Sequence, residues 1–283
     1  MVGRIIKNIS NDYTVLVNDK RVVCKPRGVF RNQNITPLVG DFVKIDENNI
    51  ITEIETRKNE LIRPPISNID NALIITSLVS PDLNLNLLDK MINIIEFNNI
   101  KPILIFTKID LLDDKNKYND ILDYYKKIGY EVYLNTELDR IKNIFKDRFT
   151  ILTGQTGVGK STLINKLDSS LKLNTGEISI ALGRGRHTTR HCEAFNLYGG
   201  FVIDTPGFSS LDFNDMTKED IRDNFIEFEK YKDKCKYKDC MHILDDDCEV
   251  KKEVNKNILN SRYENYVKFI ESKKGDILWK KQK

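Results

Sequence analysis

Three patterns of apolar and polar positions follow one another along the chain. From residue 1 to about 63, short apolar runs recur at 4–6, 13–17, 21–25 and 41–45. Each is bounded by polar residues and predicts a strand, and Asn18-Asp19-Lys20 reads as a hairpin turn. Short strands at this spacing suggest a small barrel, and Arg63-Pro64-Pro65 breaks the pattern as a linker. From Ile69 the character changes. Buried-type strands at 72–77, 102–106, 131–134, 149–153 and 201–204 alternate with helical spacing at 87–97 and 118–128. That βα alternation predicts an α/β unit with a mainly parallel sheet and helices on both faces. Past Asp212 the strands stop. Thr217 caps a helix over 218–231, with Asp220 placed for a capping box. A last helix runs over 261–272, with Tyr263, Tyr266, Val267 and Ile270 on one face. The expected units are 1–64, 65–213 and 214–283.

The composition adds few constraints. At 283 residues there is room for two or three domains, and the net charge of +3 excludes a uniformly basic nucleic-acid coat. Basic residues are clustered instead. Lys25, Arg27 and Arg31 surround Phe30, and Lys273, Lys274, Lys280, Lys281 and Lys283 crowd the tail. The first cluster reads equally as a nucleic-acid-facing loop or as a solvated loop on a barrel. The first ten residues lack a signal-peptide core, and no apolar run is long enough to span a bilayer. The expectation is a cytoplasmic protein without a membrane partner.

The chemistry is concentrated at residues 154–161, Gly154-Gln155-Thr156-Gly157-Val158-Gly159-Lys160-Ser161, followed by Thr162. This is GxxxxGKS between a buried strand and a helix, the arrangement that cradles nucleotide phosphates. Glycines let the backbone aim N–H groups at phosphate oxygens, and the helix N-terminus adds positive potential there. Lys160 is expected at the β- and γ-phosphates, and Ser161 on Mg²⁺. Asp204-Thr205-Pro206-Gly207 ends a later strand. Asp204 is then placed to reach Mg²⁺, and Gly207 to sense the γ-phosphate. Thr107-Lys108-Ile109-Asp110 ends an earlier strand and resembles the NKxD motif that reads guanine. The Asp110 carboxylate accepts from guanine N1–H and its 2-amino group, which adenine lacks, so it selects GTP over ATP.

Two departures stand out. Thr107 replaces the usual Asn, and one hydroxyl cannot both contact the base and brace the phosphate loop. Weaker guanine affinity with retained selectivity is expected. The guanine motif also precedes the phosphate loop, the reverse of the ordinary order, which a circular permutation explains. Between the two phosphate motifs lies Gly183-Arg184-Gly185-Arg186-His187-Thr188-Thr189-Arg190-His191. Thr188 and Thr189 are candidates to cap Mg²⁺, with Thr189 preferred. Phe208 stands where Ras-like proteins carry a water-orienting Gln, which leaves His187 as the nearest replacement. His187 and the arginines also suit solvent or RNA phosphates.

Cys235-x4-Cys240-x-His242-x5-Cys248 offers three thiolates and an imidazole. That set suits a closed tetrahedral Zn²⁺ site with no open position, hence a structural one. Cys24 and Cys192 stand apart and read as small apolar fillers.

Taken together, GQTGVGKST, GRGRHTT, DTPGF and the C-x4-C-x-H-x5-C cluster followed by Arg262-Tyr263 and Tyr266 resemble one family. It is the circularly permuted GTPases called ribosome small-subunit-dependent GTPase A, and the likeness covers nearly the whole chain. The resemblance implies a permuted P-loop G domain between an N-terminal OB-fold barrel and a C-terminal zinc-binding helical domain. It implies GTP hydrolysis to GDP and phosphate, with Mg²⁺ and one zinc. Hydrolysis would be slow alone and stimulated by the small ribosomal subunit, late in that subunit's maturation. It implies contact with the subunit's rRNA by a monomer, and a part for His187 in hydrolysis. The alternative is an RNA-binding zinc protein with a vestigial nucleotide site.

Overall fold

A computed structural model describes residues 1–33, 35–169, 192–204 and 212–273. The alternating first segment forms five strands, β1 (Val2–Ile9), β2 (Asp12–Val17), β3 (Lys20–Pro26), β4 (Phe42–Ile45) and β5 (Ile50–Ile54). A short helix, α1 (Val29–Asn32), lies between β3 and β4. The strands run β1-β2-β3-β5-β4, and β4 pairs back onto β1, closing a barrel. Closure removes the exposed edges that an open sheet would present. Asn18 and Asp19 both take positive φ (47° and 63°) between β2 and β3. That conformation suits the twist of a two-residue hairpin, and Asn and Asp tolerate it. Ile5, Tyr13, Val15, Val17, Cys24, Val43, Ile45 and Ile51 fill the interior. Phe30 is buried with them, so it is core and not a base-stacking ring.

A polar knot joins the barrel to the second segment. Asp41 is fully buried and accepts from Arg57 Nε and Nη2 (2.8 Å each), Ser67 Oγ (2.6 Å) and the Leu38 amide (2.7 Å). Arg57 precedes the small hairpin of β6 (Glu60–Leu61) and β7 (Ile66–Ser67), and Ser67 is the last residue of β7. Arg4 extends from β1 over the Phe149 ring at 3.7 Å and donates to the Asn68 carbonyl at 2.7 Å.

The second segment forms one six-stranded sheet in the order β10-β9-β8-β11-β14-β13. Its members are β8 (Asn71–Ser77), β9 (Lys101–Thr107), β10 (Glu131–Leu134), β11 (Phe149–Thr153), β13 (Phe195–Leu197) and β14 (Gly200–Asp204). Five are parallel, and β13 closes the edge antiparallel. All seven residues of β8 are buried, as a strand covered on both faces should be. Helices α2 (Leu85–Phe97), α3 (Asn119–Ile128), α4 (Leu138–Phe145) and α5 (Lys160–Leu167) connect the parallel strands or follow them. The phosphate-loop strand β11 lies between β8 and the DTPG strand β14, and the guanine-motif strand β9 is one strand further, beyond β8. The inverted chain order is therefore a difference in connection, not in arrangement. Strand β12 (Cys192–Glu193) leaves this sheet and pairs antiparallel with β1 of the barrel, Lys7 opposite Glu193. The Lys7–Glu193 ion pair (2.6 Å) and the bond from the Ala194 amide to the Ile6 carbonyl (2.7 Å) fix it there.

The third segment is helical and packs on α2. The expected capping box at Thr217 and Asp220 is present, but the helix stops early, at Lys218–Asp223. A separate 3-10 turn, Ile226–Phe228, and a short helix, Glu229–Lys232, come after it. The break lets Phe225 and Phe228 enter an aromatic core with Tyr266 and Phe269 while Glu227 turns inward. Arg262, on the last helix Asn260–Ser272, is only 1% exposed. Its guanidinium grips Glu227 in a fork (2.7 and 2.9 Å) and reaches Asp89 of α2 (2.8 Å). Tyr125 and Asn265 donate to Asp89 as well (2.5 and 2.6 Å). Buried charges are tolerable only when paired and hydrogen-bonded in this way. The cluster welds the last helix to the sheet's covering helix. No helix of the described residues is long and apolar enough to cross a membrane.

Candidate nucleotide site and metal centre

The nucleotide motifs converge at the C-terminal ends of the parallel strands, where open α/β sheets bind ligands. Strand β11 delivers the chain into the loop at Gly154, whose φ is +145°. A Cβ there would lie 2.1 Å from the Ile75 carbonyl oxygen, so only glycine fits. Gly157 and Gly159 take φ of 82° and 94° and carry the loop into α5. Val158 is buried beneath the loop and anchors it to the sheet. Gln155, Thr156, Ser161 and Thr162 lie on the same turn and the first turn of α5. Lys160 folds over the loop and donates to the Gly154 and Gln155 carbonyls (2.7 and 3.1 Å). Burial pulls its pKa below the ordinary lysine value, and the Asp204 carboxylate opposes that pull. Asp204 ends β14, in parallel register with Leu152 of β11, beside the loop.

Thr107 ends β9 and is 2% exposed. Its hydroxyl lies 2.5 Å from the Val158 carbonyl and 3.3 Å from that of Thr76. One hydroxyl carries one proton, and the shorter contact takes it. The brace from the guanine motif to the phosphate loop is thus kept with Thr in place of Asn. Lys108 follows in the left-handed region (φ 62°), and its ammonium donates to the Ser80 carbonyl. Ile109–Leu111 is one 3-10 turn that leaves Asp110 exposed at the sheet's edge. Gly207, Phe208, His187, Thr188 and Thr189 lie outside the described residues.

The sulfur and nitrogen cluster sits in the third unit. Ligand atoms of Cys235, Cys240, His242 and Cys248 all lie within 4.8 Å of one another. Cys235 Sγ is 3.8 Å from Cys248 Sγ, and His242 Nδ1 is 3.6 and 3.3 Å from those two sulfurs. Zinc bonds of about 2.3 Å to sulfur and 2.0–2.1 Å to nitrogen give tetrahedral edges of roughly 3.8 and 3.6 Å. The donor set therefore fits one zinc ion, with Nδ1 as the nitrogen ligand. Burial lowers the His242 pKa to about 4, which keeps its imidazole neutral, and pushes the Cys240 thiol up to about 12. A bound metal would deprotonate that thiol. Tyr263 donates to the His242 carbonyl (2.7 Å), Tyr266 to that of Met241, and Arg222 to that of Cys240 (3.4 Å). The face of tyrosines read from the sequence is therefore the support of the metal loop. Sequence reasoning missed the Asp89–Arg262–Glu227 cluster. Its signal is a carboxylate and a guanidinium set on otherwise apolar helix faces.

Comparisons with known proteins agree with this geometry. The RsgA GTPase family matches residues 54–214, and the RsgA N-terminal domain matches residues 2–51. A small ribosomal subunit biogenesis GTPase RsgA 2 of Oceanobacillus iheyensis is 46% identical, covering 95% of this chain and 96% of that one. The RsgA of Bacillus subtilis is 43% identical over the same shares of the two chains. Among solved structures, YloQ, a circularly permuted GTPase, superposes with a TM-score of 0.81 at 37% identity. It covers 97% of this chain and 95% of YloQ. YjeQ from Thermotoga maritima gives 0.83 at 31% identity, covering 96% and 97%. With family models over residues 2–51 and 54–214 and full-length relatives at 43% and 46% identity, this chain belongs to the RsgA GTPase family.

Proposed function

We propose that this protein hydrolyses GTP on the small ribosomal subunit and uses the hydrolysis to check or complete a late step of that subunit's maturation. The observation that supports this reading is the bond from Thr107 to the phosphate loop, with Asp204 in register beside that loop at the C-terminal ends of the strands. In the proposed assignment the loop 154–159 and Lys160 hold the β- and γ-phosphates. Asp110, on the turn after Thr107 and Lys108, reads guanine. Ser161, Thr189 and Asp204 hold Mg²⁺, which when bound would neutralise charge on the phosphate oxygens. Gly207 senses the γ-phosphate. His187 orients a water that attacks the γ-phosphorus while the bond to the β–γ bridging oxygen breaks, releasing GDP and phosphate.

The barrel, the permuted G domain and the metal unit, taken as 1–64, 65–213 and 214–283, divide the work. The zinc is structural in this reading, because all four donors come from the chain. Exposed Lys25 and Arg27 on the barrel contact rRNA, as do Lys234, Lys236, Lys238 and Tyr237 on the metal loop. The protein acts as a cytoplasmic monomer. The test is GTP turnover by the purified chain, with and without small subunits, beside His187→Ala. Strong stimulation that disappears in the variant supports the role and the His187 assignment. Stimulation kept in the variant moves the water-positioning group elsewhere. No stimulation with nucleotide still bound refutes the maturation role.

A further inference from the structure

Strand β8 ends on Ser77, opposite Thr107 in the ladder with β9, and the chain then turns instead of running on. The turn is tied at both of its ends. The Leu78 amide donates to the Thr107 carbonyl at 3.1 Å, so the turn starts on the guanine-motif strand. The Ser77 hydroxyl, on a residue only 1% exposed, donates to the Pro81 carbonyl at 2.6 Å and closes the turn. Ser80 lies between them, exposed and at a positive φ of 51°, and its carbonyl accepts from the Lys108 ammonium. On the other flank, a Cβ at Gly157 would stand 3.8 Å from Pro81 Cδ, which puts the turn within contact range of the phosphate loop. Asn84 follows and caps α2 through the Leu87 amide (3.0 Å), which fixes the exit. The turn therefore touches both the guanine motif and the phosphate loop, although it belongs to neither.

We propose that Ser77 is a positioning residue for the guanine nucleotide: it pins the turn 78–81 so that the Ser80 carbonyl holds the Lys108 chain extended near Asp110. This rests on the reading of Asp110 and the phosphate loop given above. A lysine side chain is long and freely rotating, and ordering it on binding costs affinity. Lys108 is already tethered at both ends, by its left-handed backbone (φ 62°) and by Ser80. Its methylene stem spans the distance between them as an apolar rail on which a flat base can lie, two residues from the carboxylate that reads the base's edge. The carbonyl of Ser80 can hold the ammonium only while the turn stays folded. The hydroxyl of Ser77 is the side-chain group that closes the turn, and burial shields that bond from competing water.

The test is calorimetric titration of the full-length protein with GDP and Mg²⁺. Loss of one ordinary hydrogen bond corresponds to roughly two- to tenfold in a dissociation constant. Ser77→Ala should weaken GDP by about three- to tenfold. Lys108→Met keeps most of the stem, removes the ammonium, and should weaken GDP by about threefold or more. The decisive protein combines the two. Ser77→Ala added to Lys108→Met should cost less than about twofold more, because a pin that acts through the lysine has nothing left to hold. Ser77→Cys fills the same space with a weak donor. It takes the place of Ser77→Ala if that variant does not fold, and should weaken GDP by at least about twofold. A Ser77→Ala protein that melts earlier but binds GDP within about twofold of wild type makes the bond structural only and overturns the proposal. Independent, multiplicative effects in the double variant overturn it as well. Wild-type protein that binds no guanine nucleotide would overturn it together with the functional reading.

Discussion

Thr107 is the residue whose replacement tells most about the nucleotide site. Thr107→Val keeps the shape of a side chain that is 2% exposed and deletes the one proton donated to Val158 at 2.5 Å. Leaving a buried carbonyl without its partner costs roughly 1–3 kcal/mol. The acceptor is the loop residue that anchors the phosphate cradle, so most of that cost falls on the loop's preorganisation. At about 1.4 kcal/mol per tenfold, the full range would correspond to about 5- to 150-fold in GDP affinity. Relaxation of the loop onto Lys160 places the expected weakening in the lower part, about 5- to 30-fold. Thr107→Asn should move the other way, because its amide has a second N–H for the base while one still braces Val158. Titration calorimetry with GDP, and with ADP for selectivity, reads both. Selectivity for guanine should survive in each variant, since Asp110 is untouched. A Thr107→Val protein that binds GDP within twofold of wild type would refute the brace. An unchanged dissociation constant in Thr107→Asn would refute the idea that Thr gives up a bond to the base.

Other outcomes concern the C-terminal unit. Arg262→Met leaves Asp89 and Glu227 buried without their cation and should cost about 3–5 kcal/mol in denaturant unfolding. Burial already raises the Asp89 pKa above its ordinary value, so the folded state holds that proton more tightly than the unfolded chain. Its contribution is fullest below the ordinary carboxylate range and is lost as pH rises through the raised value. The variant should therefore recover stability relative to wild type on acidification from neutral pH. Cys248→Ser should reduce zinc, measured by elemental analysis, from one ion per chain and lower the melting temperature. Replacing Lys234, Lys236 and Lys238 with Gln should flatten the salt dependence of subunit binding by roughly 0.7–0.9 log units for each phosphate no longer neutralised.

Short-range patterns made the sequence readable where local chemistry decides structure. The glycines of the phosphate loop, the capping box at Thr217 and the hairpin at Asn18-Asp19 each express a backbone requirement that few residue types meet. The apolar run Ala72–Ile75 within β8 announced a strand covered on both faces. Long-range pairing was not legible. Strand β12 is two residues long, and nothing in Cys192-Glu193 marks it as a partner for Lys7 and Asn8 so far away in the chain. The helix expected over 218–231 failed for a related reason. Its spacing is helical, but tertiary demand for an inward Glu227 opposite Arg262 outweighed local propensity. Phe30 stands beside basic residues in the sequence and is core in the structure, 7% exposed.

The pairing of β12 with β1 changes what a domain deletion would mean. Sequence and family boundaries present the barrel as a detachable module at the front of the chain. Physically it holds the residues that immediately follow GRGRHTTRH, through two paired strands and the Lys7–Glu193 ion pair. Removing the barrel would free that attachment at the same time as it removed the basic surface. A truncated protein with altered turnover would then report a loosened tether inside the G domain as well as weaker RNA binding. Point changes at Lys7 and Glu193, which spare the basic residues at 25 and 27, separate the two.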